Sequence, residues 1–173
     1  MIELLRNRRS IRKYTDKDIE PEKIELLKEV VLRSPSSRNF DPWEFIFVDD
    51  QGLLKQLALC KPHGAKFLEG AALGIVVCAD EQKSDVWIED CSIASILVQM
   101  TAQSIGLGSC WIQIRKRIYD DHKTSEDYIK DLLNILPDSF KVESIIAIGY
   151  PAEKRESVRQ EDLKHEKVKF NSY

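Results

Sequence analysis

Residues 86–105, Val86-Trp87-Ile88-Glu89-Asp90-Cys91-Ser92-Ile93-Ala94-Ser95-Ile96-Leu97-Val98-Gln99-Met100-Thr101-Ala102-Gln103-Ser104-Ile105, carry the most informative pattern in the chain. Wound as a helix, Ile88, Cys91, Ile93, Ala94, Ile96, Leu97, Val98, Met100, Ala102 and Ile105 occupy nearly every angular position, and only Ser, Thr and Gln interrupt the later turns. A helix that is apolar on almost every side must be covered over most of its surface. Either a partner chain covers part of it or its own domain wraps it, and the pattern alone leaves both open.

Gly106-Leu107-Gly108 breaks this helix, and Ser109 to Ile114 then has strand character. Upstream, Ala71 to Ala79 contains Ile75, Val76 and Val77, the mark of a strand buried on both faces. Trp43 to Val48 is rich in aromatic and β-branched residues and predicts another strand. Glu20-Pro21-Glu22 opens a helix with a tolerated proline and acids at the positive end of its dipole. Ile24, Leu27, Val30 and Val31 give it one buried face, and Ser34-Pro35 ends it. Short helices are expected over Glu3–Arg9 and Leu53–Leu59, and a longer one from a Thr124 cap to about Ile135. Val142 to Ile148 is a further strand. In the charged tail, Val168 and Phe170 alternate with lysines and predict a short edge strand, added to a sheet within the chain or across a dimer. Strands separated by helices make the fold α/β or α+β, with at least one parallel pairing expected.

The chain has 173 residues with 26 Lys+Arg against 29 Asp+Glu, which suits one soluble domain over 1–173. Its longest apolar run, Ala71–Ala79, is nine residues, against the ~20 needed to span a bilayer. The opening Met1-Ile2-Glu3-Leu4-Leu5-Arg6 lacks the pattern of a signal peptide, so a cytoplasmic location is expected. Cys60, Cys78, Cys91 and Cys110 are widely spaced and form no CxxC pair, which predicts reduced core thiols.

No GxSxG elbow, Walker loop or GxGxxG is present, and His63, His122 and His165 are scattered. Cys60-Lys61-Pro62-His63 has a metal-like spacing but no second ligand pair, and no metal site is expected. Reactive chemistry therefore has to come from a bound cofactor. The strongest anomaly is Arg6, Arg8, Arg9, Arg12 and Lys13, five cations with no acid among them in an acidic chain. With Ser10 between them, these arginine forks make a phosphate clamp. Lys154-Arg155 forms a weaker second cluster. A nucleic-acid or general anion-binding module is the non-enzymatic alternative, but no such motif accompanies the arginines, and no nucleic-acid or membrane partner is expected.

Four segments together resemble the nitroreductase family of flavoproteins in its short, single-domain form. They are Arg8-Arg9-Ser10-Ile11-Arg12, Ser34-Pro35-Ser36-Ser37-Arg38-Asn39-Phe40-Asp41-Pro42-Trp43, Leu107-Gly108-Ser109-Cys110-Trp111-Ile112 and Ile148-Gly149-Tyr150-Pro151-Ala152-Glu153-Lys154. The resemblance implies an α+β, three-layer sandwich with a central, mostly antiparallel sheet flanked by helices. It implies a homodimer with FMN at the interface and residues 151–173 contacting the partner subunit. It further implies an oxidoreductase passing hydride from NADH or NADPH through FMN to a nitroaromatic, quinone or similar acceptor in ping-pong order. Carried over residue by residue, Arg8, Arg9, Ser10, Lys154 and Arg155 match positions holding the FMN phosphate. Arg12 matches a cation beside the flavin pyrimidine edge, where it stabilises charge rather than reacting. Ser36, Ser37, Asn39 and Asp41 match a loop reaching the flavin from the partner. Trp111, Ile112 and Gln113 match a strand end whose backbone amides approach flavin N5. Asp41 departs from the Gln usual in the family. Its carboxylate only accepts, so it is expected to face flavin N3–H or to pair with Arg38 or Arg12, and near N1 it would slow hydride acceptance. A flavin-binding member with a different end, such as flavin handling or a reductive step on an unknown metabolite, is the alternative within the family.

Overall fold

The computed structural model describes residues 1–173. Its elements run α1 (Ile2–Asn7), α2 (Pro21–Leu32), β1 (Trp43–Val48), α3 (Gln51–Leu57), β2 (Leu73–Asp80), α4 (Trp87–Ser104), β3 (Gly108–Gln113), α5 (Ser125–Leu133) and β4 (Phe140–Gly149). The four strands form one sheet in the order β1-β2-β4-β3, and every ladder in it is antiparallel.

The expected parallel pairing is therefore corrected. Helix α4 does carry the chain from β2 to a strand of the same direction, β3, but β4 inserts between them and pairs with both. The one parallel contact is an isolated bridge, Ser10 to Ser109. The edge strand expected around Val168 and Phe170 is also absent from the chain's own sheet. The tail holds only single 3₁₀ turns at Gln160–Asp162 and His165–Lys167, and Val168 and Phe170 are exposed.

Neighbouring residues of a strand face opposite sides, and β2 and β4 are apolar on both. Ile75, Val77, Ile146 and Ile148 pack with Leu27 and Val31 of α2 and Cys91, Val98 and Ala102 of α4. Val76, Cys78, Ile145 and Ala147 pack on the other face with Leu54 and Leu57 of α3 and Ile129 of α5. Helices on both faces give three layers. All four cysteines are buried and free. No helix is long and apolar enough to cross a membrane.

Helix α4 buries most of its circumference against the sheet and α2, yet Ile93 and Ile96 stay 41% and 39% exposed. Its own domain thus covers most of the helix and leaves an apolar stripe bare.

Candidate functional site

The arginine-rich segment leaves α1 and lies as a strap across the ends of β3 and β4. Ile11 N–H donates to the Ser109 carbonyl (2.9 Å), Thr15 N–H to Tyr150 (2.9 Å), and Ala152 N–H back to Lys13 (2.8 Å). Two motif glycines make room for it. A Cβ on Gly108 would stand 2.9 Å from three carbons of Ile11, and one on Gly149 would stand 2.9 Å from the Tyr14 ring. The Tyr14 hydroxyl donates to the Ile11 carbonyl at 2.6 Å, closing the strap on itself. Tyr150 fixes the turn after β4 by donating to Glu20 Oε2 (2.5 Å) and accepting from Lys23 Nζ (2.6 Å).

Arg8, Arg9, Ser10, Arg12 and Arg155 line one open cleft of about 390 Å³ together with Arg6, Leu5 and Val158. Lys154 joins Arg9, Arg155, Ile11 and Gly108 around a smaller adjoining hollow. The structure thus gathers both basic clusters, Arg8–Arg12 and Lys154–Arg155, which lie at opposite ends of the sequence. Their engagement differs. Arg9 donates to the Glu156 carbonyl (2.6 Å), and Arg155 pairs with Glu153 (2.9 Å). Glu153 also accepts the Arg12 backbone N–H (2.7 Å), and these bonds hold its carboxyl below the usual range. The guanidinium groups of Arg8 and Arg12 have no anionic partner; Arg12 lies 5.7 Å from the centre of the Phe67 ring. Two unneutralised arginines and a serine hydroxyl in one cleft are a donor set for a phosphate monoester.

Strand β3 is an edge strand, so its outer backbone groups face away from the sheet. The Ser109 and Gln113 carbonyls accept from Ile11 N–H and Lys61 Nζ (2.9 Å), which sets the odd-numbered residues outward. Trp111 and Gln113 therefore present backbone groups at this edge, as a flavin-contacting strand requires. Ile112, between them, alternates: its backbone turns toward β4 and its side chain is 1% exposed, in the core beneath the sheet. The Trp111 indole donates to Gln113 Oε1 (3.0 Å), and the Gln113 amide donates to the Arg115 carbonyl (3.1 Å).

The loop bearing Ser36, Ser37, Asn39 and Asp41 is built separately. Buried Asp90 on α4 anchors it, accepting from Ser37 N–H (2.8 Å) with one oxygen and from Ser84 Oγ (3.2 Å) with the other. Arg38, Asn39 and Asp41 all have left-handed φ, between 46° and 60°. Asp41 pairs with neither Arg38 nor Arg12. Its Oδ1 accepts from Ser36 Oγ (2.5 Å), which accepts in turn from Asp41 N–H (2.9 Å). No hydrogen bond or ion pair joins this loop to the strap, and Arg38, Asn39 and Phe40 project to the surface.

Several residues that shape the site carry no signal in the sequence. Gly108 and Gly149 stand in the motifs, but their purpose appears only once the strap is in place. Lys61 lies in a segment notable only for its metal-like spacing, and nothing in the sequence joins it to β3. Asp90 sits in the first turn of α4, where an acid is ordinary and its bond to a distant loop leaves no mark in the sequence.

Comparisons with known proteins agree with this architecture. The model of the nitroreductase family matches residues 5–61 and 54–150. A protein of Archaeoglobus fulgidus that bears the provisional name NADH dehydrogenase/NAD(P)H nitroreductase is 33% identical over 167 residues, covering 93% of this chain and 91% of its own. The FMN reductase [NAD(P)H] of Bacillus subtilis is 25% identical over 195 residues, 99% of this chain and 75% of that protein. Among solved structures, an FMN-dependent nitroreductase from Clostridium difficile superimposes with a TM-score of 0.98 at 46% identity, over 100% of both chains. With the four motifs, the strap and the three-layer antiparallel sheet already in hand, these matches establish that the chain belongs to the nitroreductase family.

Proposed function

We propose that this chain is an FMN-dependent oxidoreductase that takes hydride from NADH or NADPH and passes it to a nitroaromatic, quinone or similar acceptor in ping-pong order. The observation that carries the proposal is the strap cleft, where Arg8 and Arg12 lack any counter-charge beside Ser10. The names of the Clostridium difficile and Bacillus subtilis relatives, FMN-dependent nitroreductase and FMN reductase [NAD(P)H], support the cofactor and the donor. FMN, when bound, supplies the capacity to accept and release hydride.

The residues of the chain then have distinct tasks. Arg8, Arg9, Ser10, Lys154 and Arg155 hold the phosphate by charge-assisted hydrogen bonds. Arg12 keeps a fixed cation beside the pyrimidine edge, where negative charge develops on reduction. Trp111 and Gln113 offer outward backbone groups toward N5. Ser36, Ser37, Asn39 and Asp41 project from their own subunit, which suits a loop that completes the partner's site. The bare Ile93 and Ile96 stripe of α4 is the seam of the dimer, and the 151–173 tail, with exposed Val168 and Phe170, lies on the partner. Residues 1–173 act as one unit.

The purified protein is expected to be yellow, with oxidised-flavin absorbance that NADH or NADPH bleaches without oxygen, and to run as a dimer in light scattering. Colourless protein that ignores added FMN ends the proposal.

A further inference from the structure

A second group of cations stands at the far end of the β3 edge, outside the FMN-binding set. Arg115, Lys116 and Arg117 follow β3 in a tight turn closed by Arg117 N–H to the Ile114 carbonyl (2.9 Å). Ser125 N–H donates to the Arg117 carbonyl (3.0 Å) and ties the turn to the start of α5. Lys116 takes a left-handed φ of 59°, a conformation that costs an ordinary side chain about 1 kcal/mol. From the other side, Lys61 reaches the same strand end through its bond to the Gln113 carbonyl. Burial pushes the Lys61 ammonium down, and the nearby Arg117 charge pushes it further. None of the four makes an ion pair, whereas Lys123, Lys130 and Lys141, on the neighbouring elements, each do. The Arg115 guanidinium lies 6.0 Å from the centre of the Trp87 ring, and its charge acts on buried Glu143, whose carboxyl burial pushes up to about 7, so that it is only partly charged near neutrality.

These cations lie along the same edge as the strap. The Cys110 thiol feels the charges of Arg8, Arg12 and Lys61 alike. Two basic groups therefore bracket the outward backbone of Trp111 and Gln113, one at each end. FMN carries a single phosphate, and the strap accounts for it. A second cluster kept unneutralised at the other end, in a chain of net charge −3, calls for a second anion. On the flavin proposal the hydride donor meets the flavin beside the outward backbone of Trp111 and Gln113, next to this cluster, and it carries phosphate groups. We infer that Lys61, Arg115, Lys116 and Arg117 form a collar that binds a phosphate of the nicotinamide dinucleotide.

The inference rests on the flavin proposal for where the donor docks, and calorimetry separates the two. The FMN-loaded protein is titrated with 2′,5′-ADP and with ADP, and KM is measured for NADPH and for NADH. The test variant combines Lys116→Asn, chosen because Asn tolerates left-handed φ, with Arg117→Ala, and Lys61→Met is tested beside it. The double variant is expected to lose roughly tenfold or more in nucleotide affinity while retaining its flavin absorbance. A loss confined to 2′,5′-ADP and NADPH assigns the collar to the 2′-phosphate. An equal loss with ADP and NADH assigns it to the pyrophosphate. Unchanged affinity for both nucleotides overturns the collar. Protein that never takes up FMN yet binds 2′,5′-ADP tightly sinks the flavin proposal and leaves the collar standing.

Discussion

The strap at Arg8–Thr15 and the loop at Ser36–Asp41 are both expected at the same ligand, yet they are built in opposite ways. The strap is held by backbone bonds to both β3 and β4, over a sheet surface cleared by two glycines, and it leaves the guanidinium groups of Arg8 and Arg12 without an anionic partner. The loop is held at one point by Asp90, satisfies Ser36 and Asp41 within itself, and projects away from the strap. Half of the site is complete in one chain and facing inward; the other half is complete and facing out. On the proposed function, that division suits a site shared between two copies, each lending its loop and using its own strap.

The largest effect should follow from breaking the strap. Gly108→Val forces branched carbons into Ile11, whose Cβ, Cγ1 and Cγ2 already lie 2.9 Å from an added Cβ and which is pinned by its N–H bond to the Ser109 carbonyl. Overpacking of this kind is expected to cost about 3 kcal/mol and to leave protein without bound flavin after gel filtration. Gly70→Ala, where an added Cβ meets nothing within 4 Å, is the matched control and should keep both. Arg8→Ala leaves the fold intact, since the Arg8 side chain bonds nothing in the chain and its backbone bond to Leu4 is kept, and should weaken FMN roughly tenfold to a hundredfold. FMN fluorescence quenching measures it; unchanged affinity would show that the cleft holds something else.

The strap and the loop also differ in how far the sequence reveals them. The basic run and Ser10 stand out because charge without compensation is visible in one dimension. The gathering of Lys154 and Arg155 beside Arg8 is not, because it depends on β4 returning between β2 and β3. The same insertion defeated the expected parallel pairing: β2-α4-β3 has the sequence form of a parallel unit, and only the later Val142–Ile148 segment undoes it. Most elements were legible because hydrophobic period and caps are local, as at Thr124, whose hydroxyl accepts from Asp127 N–H. The burial of the Ile112 side chain was not legible because motif position says nothing of which way a strand residue turns. The loop's self-pairing, Ser36 with Asp41, was hidden because left-handed φ at the non-glycine positions Arg38, Asn39 and Asp41 has no sequence marker.

Helix α4 and strand β4 offer a sharper contrast, between two buried carboxyls. Asp90 has both oxygens satisfied and holds the loop. Glu143, 2% exposed, accepts from Ser92 Oγ (2.5 Å) with one oxygen and has no partner for the other. Removing them should act in opposite directions. Asp90→Ala frees Ser37 and should cost about 2 kcal/mol, seen as a lower Tm and weaker flavin binding. For Glu143, burial raises the folded carboxyl from its ordinary 4.5 to about 7. The native chain then binds the extra proton between those values, so stability falls as pH rises from about 4.5 to 7 and the full penalty stands above 7. Glu143→Gln removes the penalty and should gain roughly 2 kcal/mol at pH 8 and almost nothing at pH 5. Melting curves at both values check the sign, and a gain that grows toward acid would contradict the orphaned oxygen.

The smallest effect is expected at Asp41, and it tests whether the loop's internal pairing survives in the dimer. Asp41→Asn keeps an oxygen for Ser36 Oγ and a side chain that tolerates φ 46°. Its Tm should stay within about 0.5 kcal/mol of the parent, the usual range for an exposed substitution. Asp41→Gln, which restores the family's usual residue, draws the amide away from Ser36 and fits left-handed φ less well, at a cost of about 1 kcal/mol. A carboxylate tied to Ser36 and open to water is screened, so anaerobic bleaching by NADPH in stopped flow should change by less than about twofold in the Asn variant. A tenfold acceleration would mean that the carboxylate leaves Ser36 in the dimer and stands against the flavin. The loop would then be remade by its partner rather than delivered to it already formed.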